Sequence, residues 1–461
     1  MSDLPNGWEF AALGELVTSS VGGMWGSADQ LAETTRVRVI RGAEFREWAT
    51  VRADLAPLRF VPRQSLASRR LEIGDIVLEV SGGGPTQPVG RTVLVDEQAI
   101  RSSDLPLICS NFCRRLVMSG NVDPRFVRYQ LHHFYVLGNT DQYQRASTNI
   151  RNLQVPRYLE GTTIAIPPLA EQHRIVAVIE EQFSRLDAGI AALESATAKA
   201  GALTRAVMEA AVNGWDRVPL RELVHSLRNG IFVSRPGSIP TERAILRISA
   251  VRRLHLDATD VRYIPEAVGL PNEAAVRIEA GDLLFTRYNG NAQFVGACAM
   301  VQSDAAGLFY PDKLIRAVVN RARAMPEYLE IAVNCGPSLQ AIALRRKTTA
   351  GQVGIAGGQL LDVPVPLPSL RDQELIVART RQILDASHML RSDIALASRR
   401  SDRLKSVLLA AAFSGRLVLQ DPRDESASAL IRRIEVERAA TSGLTAENTR
   451  KPRIIQRKVS A

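Results

Sequence analysis

Apolar residues recur at every seventh position along two stretches of the chain, and the rest of the sequence is organised around them. In the first stretch, Ile166 to Gly214, the row is Ile179, Leu186, Leu193, Ala200 and Val207. Phe183, Ile190 and Ala211, each four positions on, widen the stripe, while Thr197 and Thr204 interrupt it. Pro167 and Pro168 mark an opening turn and Asn213-Gly214 closes the stretch. This spacing predicts one long helix with a mostly apolar seam, the pattern of coiled-coil packing. At about 1.5 Å per residue the helix would be roughly 60 Å long.

The second stretch, Leu367 to Gly415, carries the row Ile376, Ile383, Leu390, Ala397, Leu404 and Ala411. Its Pro368, Leu370, Gln373, Ile376, Val377 and Gly415 repeat Pro167, Leu169, Gln172, Ile175, Val176 and Gly214 at a constant shift of 201 residues. The seven-spaced row sits three or four positions off the first one. One such helix has a seam and no partner, whereas two in one chain can bury each other. Thr380, Ser387 and Ser401 fall where the first copy is apolar, and are expected to be polar positions left for partner chains.

The repeat extends beyond the helices. Trp8, Leu13, Glu15, Leu16 and Val17 match Trp215, Leu220, Glu222, Leu223 and Val224, and Gly74-Asp75 matches Gly281-Asp282, all at a shift of 207. The expected plan is a globule (1–165), a long helix (166–214), a second globule (215–366) and a second long helix (367–415). A turn and helix (416–438) and a disordered basic tail (439–461) follow. Each globule reads as mixed α and β. Arg36 to Ile40, Glu72 to Glu79 and Arg114 to Met118 read as strands, as do Ala244 to Ile248, Glu279 to Phe285 and Leu314 to Val319. Pro124 to Val136 and Pro326 to Asn334 read as helices with proline in the first turn. The fold class is therefore α+β, with an internal repeat.

Composition narrows the function. The 461 residues carry a formal net charge of +10, which favours a polyanionic partner. No run of about 18 apolar residues predicts a membrane span, and the opening MSDLPNGWEF has no signal pattern, so a cytoplasmic protein is expected. Cys109, Cys113, Cys298 and Cys335 are too scattered for a disulfide framework and read as core thiols. The six histidines form no metal-ligand pattern. Gly82 to Thr92 has the wrong glycine spacing for a phosphate loop, with Arg91 where a lysine is needed. Neither a base-methylation motif nor a dinucleotide fingerprint is present, and Pro311-Asp312-Lys313 lacks the acidic partner of a nuclease metal site. The chain is expected to be no enzyme, with no cofactor or metal of its own.

Binding chemistry is richer. Arg287, Tyr288, Asn289 and Asn291 follow one strand of the second half; Thr86, Gln87 and Arg91 stand at the matching place in the first. Before the long helices come Gln144, Arg145, Ser147, Thr148, Asn149 and Arg151 in the first half. Their counterparts are Arg345, Arg346, Lys347, Thr348 and Gln352 in the second. Arg and Lys neutralise phosphates, and Asn, Gln, Ser and Thr can contact base edges. These are the candidate DNA-binding residues. The similar framework with divergent loops is what two readers of different targets would show.

These motifs carry a resemblance. Ile166-Pro167-Pro168-Leu169-Ala170-Glu171-Gln172, its copy from Leu367, and Gly415 to Pro422 resemble the specificity subunits of type I restriction-modification systems, over Trp8 to about Arg438. The second copy departs at Asp372 and Leu375, where the first has Glu171 and Arg174. The resemblance implies two target recognition domains, each reading half of a split double-stranded DNA site. Two long antiparallel helices would set the gap, with the domains at opposite ends of the rod. It also implies two docked methyltransferase subunits that bring S-adenosylmethionine chemistry to adenines, and nuclease-translocase subunits using ATP and Mg. The alternatives are a methyltransferase or nuclease acting alone, a structural coiled-coil adaptor, and a specificity subunit of a methylation-only complex.

Overall fold

The computed structural model describes residues 4–84, 87–147, 150–270, 273–349 and 352–448. The chain forms two compact units that cut across the expected division into globules and spacers. One runs to Ile190 and resumes at Ser398; the other is Ala191–Ala397. Each unit therefore takes a globule together with half of each long helix.

In the first unit a four-stranded antiparallel sheet has the order Val17–Gly22, Cys113–Met118, Ile76–Glu79, Thr92–Leu94. Its central strand Ile76–Glu79 is buried along its whole length. A second sheet pairs Thr34–Ile40 antiparallel with Leu58–Pro62 and parallel with Leu107–Cys109. Glu9–Ala12 pairs with Thr163–Ile166 and ties the start of the chain to the strand leading into the first long helix. Helix Pro124–Val136 opens with Asp123, whose carboxylate accepts from the Arg125 amide at 2.9 Å and so satisfies one orphan donor of the first turn. Its Phe126, Val127 and Leu131 enter the core.

The second unit repeats this plan. Its four-stranded sheet has the order Val224–Asn229, Leu314–Val319, Leu283–Thr286, Cys298–Met300. Arg217–Pro219 pairs with Pro364–Pro366. Ala244–Leu246 pairs antiparallel with Val261–Tyr263, and a parallel bridge joins Ile245 to Phe309.

The Gly-Asp pairs seen in the sequence are turn devices. Gly74 and Gly281 hold φ of 93° and 91°, a region that L side chains enter only at a cost. Asp75 then accepts from the Glu72 amide at 2.7 Å and Asp282 from the Glu279 amide at 2.7 Å. Both carboxylates are buried and meet a guanidinium from the neighbouring strand, Arg115 and Arg316, each at 2.6 Å. Burial nevertheless pushes both carboxyl groups above their ordinary range.

The long helices run Leu169–Val212 and Leu370–Phe413. The repeated glutamines explain why their opening motif is fixed. Gln172 is fully buried; its amide donates to the Pro167 carbonyl at 2.9 Å and accepts from the Asp123 amide at 2.9 Å. Gln373 does the same between the Pro368 carbonyl and the Met325 amide, at 3.0 and 2.8 Å. Each glutamine clamps the opening turn of its long helix to the start of the shorter helix beside it. At the other end Gly214 and Gly415 take positive φ, 89° and 69°, the usual device for stopping a helix.

Two expectations need correction. The polar seam positions are not left open: Thr380 and Ser401 are buried, and the Ser387 hydroxyl meets that of Thr204 at 2.8 Å within the second unit. A hydroxyl pair placed at a seam fixes register at some cost in stability. The apolar positions midway along the helices are instead the exposed ones, Leu193, Leu203, Leu396 and Leu404 among them. The terminal helix also continues past 438, from Ala427 to Asn448; 449–461 lies outside the described residues. That helix belongs to the first unit, where Ala427, Leu430 and Ile434 are buried and Glu437 accepts from Ser119. Just before it, Asp424 pairs with Arg174 at 2.6 Å.

Candidate nucleic-acid interface

Each unit brings the two polar segments of its half into one small antiparallel sheet. In the first, Ile150–Leu153 lies at the centre, flanked by Gln144–Ser147 and Ser81–Gly83. In the second, Gln352–Gly354 lies at the centre, flanked by Lys347–Thr349 and Tyr288–Asn289. The strand order is the same in both. Segments some 60 residues apart in sequence thus share one face, and the side chains on it can act together.

The first sheet spends several of its candidates on the protein itself. Arg91 donates to both carboxylate oxygens of buried Glu79 and to the Gly42 carbonyl, and the Glu79 bond holds its guanidinium above the ordinary range. Gln144 exchanges hydrogen bonds with both backbone groups of Val89, at 3.2 and 3.1 Å, and so closes the loop after Gly83. Arg151 pairs with Asp141 at 3.4 Å. Arg145 is exposed and Gln87 half-buried. Thr86, Thr148 and Asn149 lie outside the described residues, and Ser147 is placed only as a strand residue.

The second sheet leaves more of its set open. Lys347, Thr348 and Gln352 are exposed. Tyr288 stands across from Gly354, where a Cβ would lie 2.2 Å from the tyrosine ring; only glycine lets that ring lie over the central strand. Arg287 lies against the Tyr288 ring, 4.8 Å from its centroid, and donates to the Asp312 carbonyl. Asn289 and Asn291 shape the loop by accepting from the amides two residues on, each at 2.9 Å. Arg345, the last residue of helix Gly336–Arg345, donates to the Ala341 and Asp362 carbonyls. Arg346 has a buried Nε with no partner among the described residues, and burial depresses its guanidinium below the ordinary range.

Tyr288, Asn289 and Gln352 also line a cavity of about 580 Å³, with Arg247, Arg252, Arg262 and Lys313 in its wall and Phe232 at its edge. Sequence reasoning weighs Lys313 only for a nuclease metal site and passes over the other four. They come from separate strands and loops, and only the fold gathers them. One signal was available: Phe232 stands at the repeat shift of 207 from Trp25. Each follows a glycine, Gly23 or Gly230, whose Cβ would fall within 2.3 Å of two successive carbonyl oxygens. In the first unit Arg59 covers the Trp25 ring at 4.4 Å.

The four thiols are buried, and burial pushes Cys109 up to about 12, far from a reactive thiolate. No group of three or more His, Cys, Asp or Glu suited to a metal occurs among the described residues.

No family model matches the chain. It is 30% identical to the type I restriction enzyme EcoKI specificity subunit of Escherichia coli (strain K12), over 95% of this chain and 97% of that one. It is 26% identical to the StySPI specificity subunit of Salmonella potsdam, over the same shares. Among solved structures, a chain from a type I R-M system superposes with a TM-score of 0.64 at 18% identity, covering 90% of this chain and all of that one; that likeness concerns the fold.

Proposed function

Because this chain belongs to the type I restriction enzyme specificity subunits, we propose that each unit reads one half of an asymmetric bipartite DNA site through its three-stranded sheet. DNA recognition is the role of such a subunit, and it is non-catalytic. Adenine methylation and cleavage, with S-adenosylmethionine, ATP and Mg, fall to partner subunits. The carrying observation is the pair of small sheets with one strand order and different side chains. A shared framework gives a shared way of meeting the duplex, and the unlike side chains make the two half-sites unlike. The long helices set the distance between half-sites, and methyltransferase subunits dock on the repeated surfaces around them. The basic balance of the chain, +10, supplies the sequence-independent attraction to phosphates.

One exchange tests these claims together. Residues 215–366 are replaced by the equivalent segment of a relative, and methylated adenines are mapped across the genome of a strain carrying the assembled system. One half of the mapped site should change, while the other half and the gap stay as they were, since both helices are retained. A change in both halves, or in neither, overturns the reading.

A further inference from the structure

Phe232 is exposed to 76%, unusual for a phenylalanine held beside a close backbone packing point. Its neighbour Ile231 is fixed by a hydrogen bond from its amide to the Tyr310 carbonyl at 3.0 Å, and Gly230 packs against the same carbonyl. The backbone is therefore held while the ring stands in solvent. In the first unit the equivalent Trp25 is covered by Arg59; no cation lies over Phe232 among the described residues. Phe232 lines the cavity that Tyr288, Asn289 and Gln352 share. The cavity's volume, about 580 Å³, lies within the roughly 300–1,000 Å³ range of sites that hold small molecules.

The walls state what such a guest must be. Gln352, which is exposed, offers a paired donor and acceptor suited to a base edge, and the Asn289 side-chain amide, whose oxygen accepts from the Asn291 backbone, adds a donor. Phe232 offers an open ring on which a base can stack, and Tyr288, with Arg287 against its ring, forms part of the wall. Arg262 and Lys313 stand in the same wall and suit a phosphate. A base inside a stacked duplex presents only its edge; to lay its face on the Phe232 ring it must turn out of the helix. We propose that the second unit holds one extrahelical nucleobase of its half-site in this cavity, stacked on Phe232. The proposal rests on the reading that the second unit contacts DNA.

The test uses the assembled complex and a duplex carrying its mapped site. The partner base is changed to a mismatch at each position of the half-site in turn, and affinity is measured. At one position other than the methylated adenine, whose extrusion serves the partner methyltransferase, the mismatch should tighten binding roughly 5- to 50-fold, because the base is already unpaired. Phe232→Ala should cut that gain to about twofold or less, while Phe232→Trp keeps it. The core is not at risk, since the ring is not part of it. If no mismatch tightens binding, or if Phe232→Ala leaves the gain intact, the proposal fails. The exchange of residues 215–366 separates the two claims: a half-site that changes with the exchange but shows no mismatch-sensitive position in the native chain overturns the cavity alone.

Discussion

At one cross-strand position the two small sheets differ in a way that shows how a repeated framework acquires two faces. In the first unit Ser81 stands opposite Asn152, and their side-chain oxygens approach to 2.6 Å. At the same place in the second unit Tyr288 stands opposite Gly354. A small polar pair leaves one face low and hydrogen-bonding; a ring over a glycine leaves the other raised and flat. Around them the first unit ties Arg91, Gln144 and Arg151 to its own atoms, while the second leaves Lys347, Thr348 and Gln352 exposed. The strand order is untouched. Divergence thus sits in what the strands carry, and conservation of form sits in the devices beneath, the Gly-Asp turns and the glutamine clamps.

If those devices are equivalent, breaking them should cost the same in both units. Arg115→Met and Arg316→Met each strand a buried carboxylate, Asp75 or Asp282, without its cation. Removing one partner of such a pair costs about 3–5 kcal/mol. Hydrogen exchange should show the loss in the mutated unit only, with amides of the other unit unchanged. A difference of several kcal/mol between the two variants would show that the repeated motif carries unequal weight.

A second contrast concerns charge. The short helix of the first unit bears Arg128 four residues after Pro124; that of the second bears Glu330 four residues after Pro326. Burial depresses the Arg128 guanidinium and raises the Glu330 carboxyl to about 7. Glu330 accepts from the Met300 amide at 2.8 Å. A folded-state value above the unfolded one favours folding while the group is protonated. That contribution is complete below about pH 4.5 and fades as pH rises through 7. The second unit should therefore lose up to about 3 kcal/mol across this window. Glu330→Gln keeps the acceptor and removes the titration, so its unfolding free energy should be flatter with pH. An unchanged slope in urea titrations at pH 5 and pH 8 would discard this.

Much of this architecture is legible in the sequence for reasons that are local. Prolines and glycines punctuate the long helices, seven-residue spacing marks their apolar rows, and a constant shift exposes the repeat. What stays hidden depends on contacts between distant segments. Gln144 looks like a base reader until Val89 is found on both sides of its amide. Arg91 looks like a phosphate contact until Glu79 claims it from the buried strand. Thr380 and Ser401 look like surface positions because polarity suggests exposure, yet helix rotation turns them inward. Phe232 and the arginines around the cavity belong to no contiguous motif at all.

The Tyr288–Gly354 pair offers the finest test of the opening contrast. Gly354→Asn gives the second unit one member of the first unit's pair. The new Cβ would lie 2.2 Å from the Tyr288 ring, so the ring must leave or the strand must bend. Overpacking of this kind costs about 1–3 kcal/mol. Adding Tyr288→Ser removes the obstruction and completes the small polar pair, so the double variant should recover most of that loss. The two substitutions are in contact and should be strongly non-additive. Stability would then be restored while the raised aromatic face is gone, and the DNA preference of the second half-site should shift in the double variant even though its fold is sound. A double variant as unstable as Gly354→Asn alone would mean that the two sheets are not interchangeable at this position, and that their likeness stops at strand order.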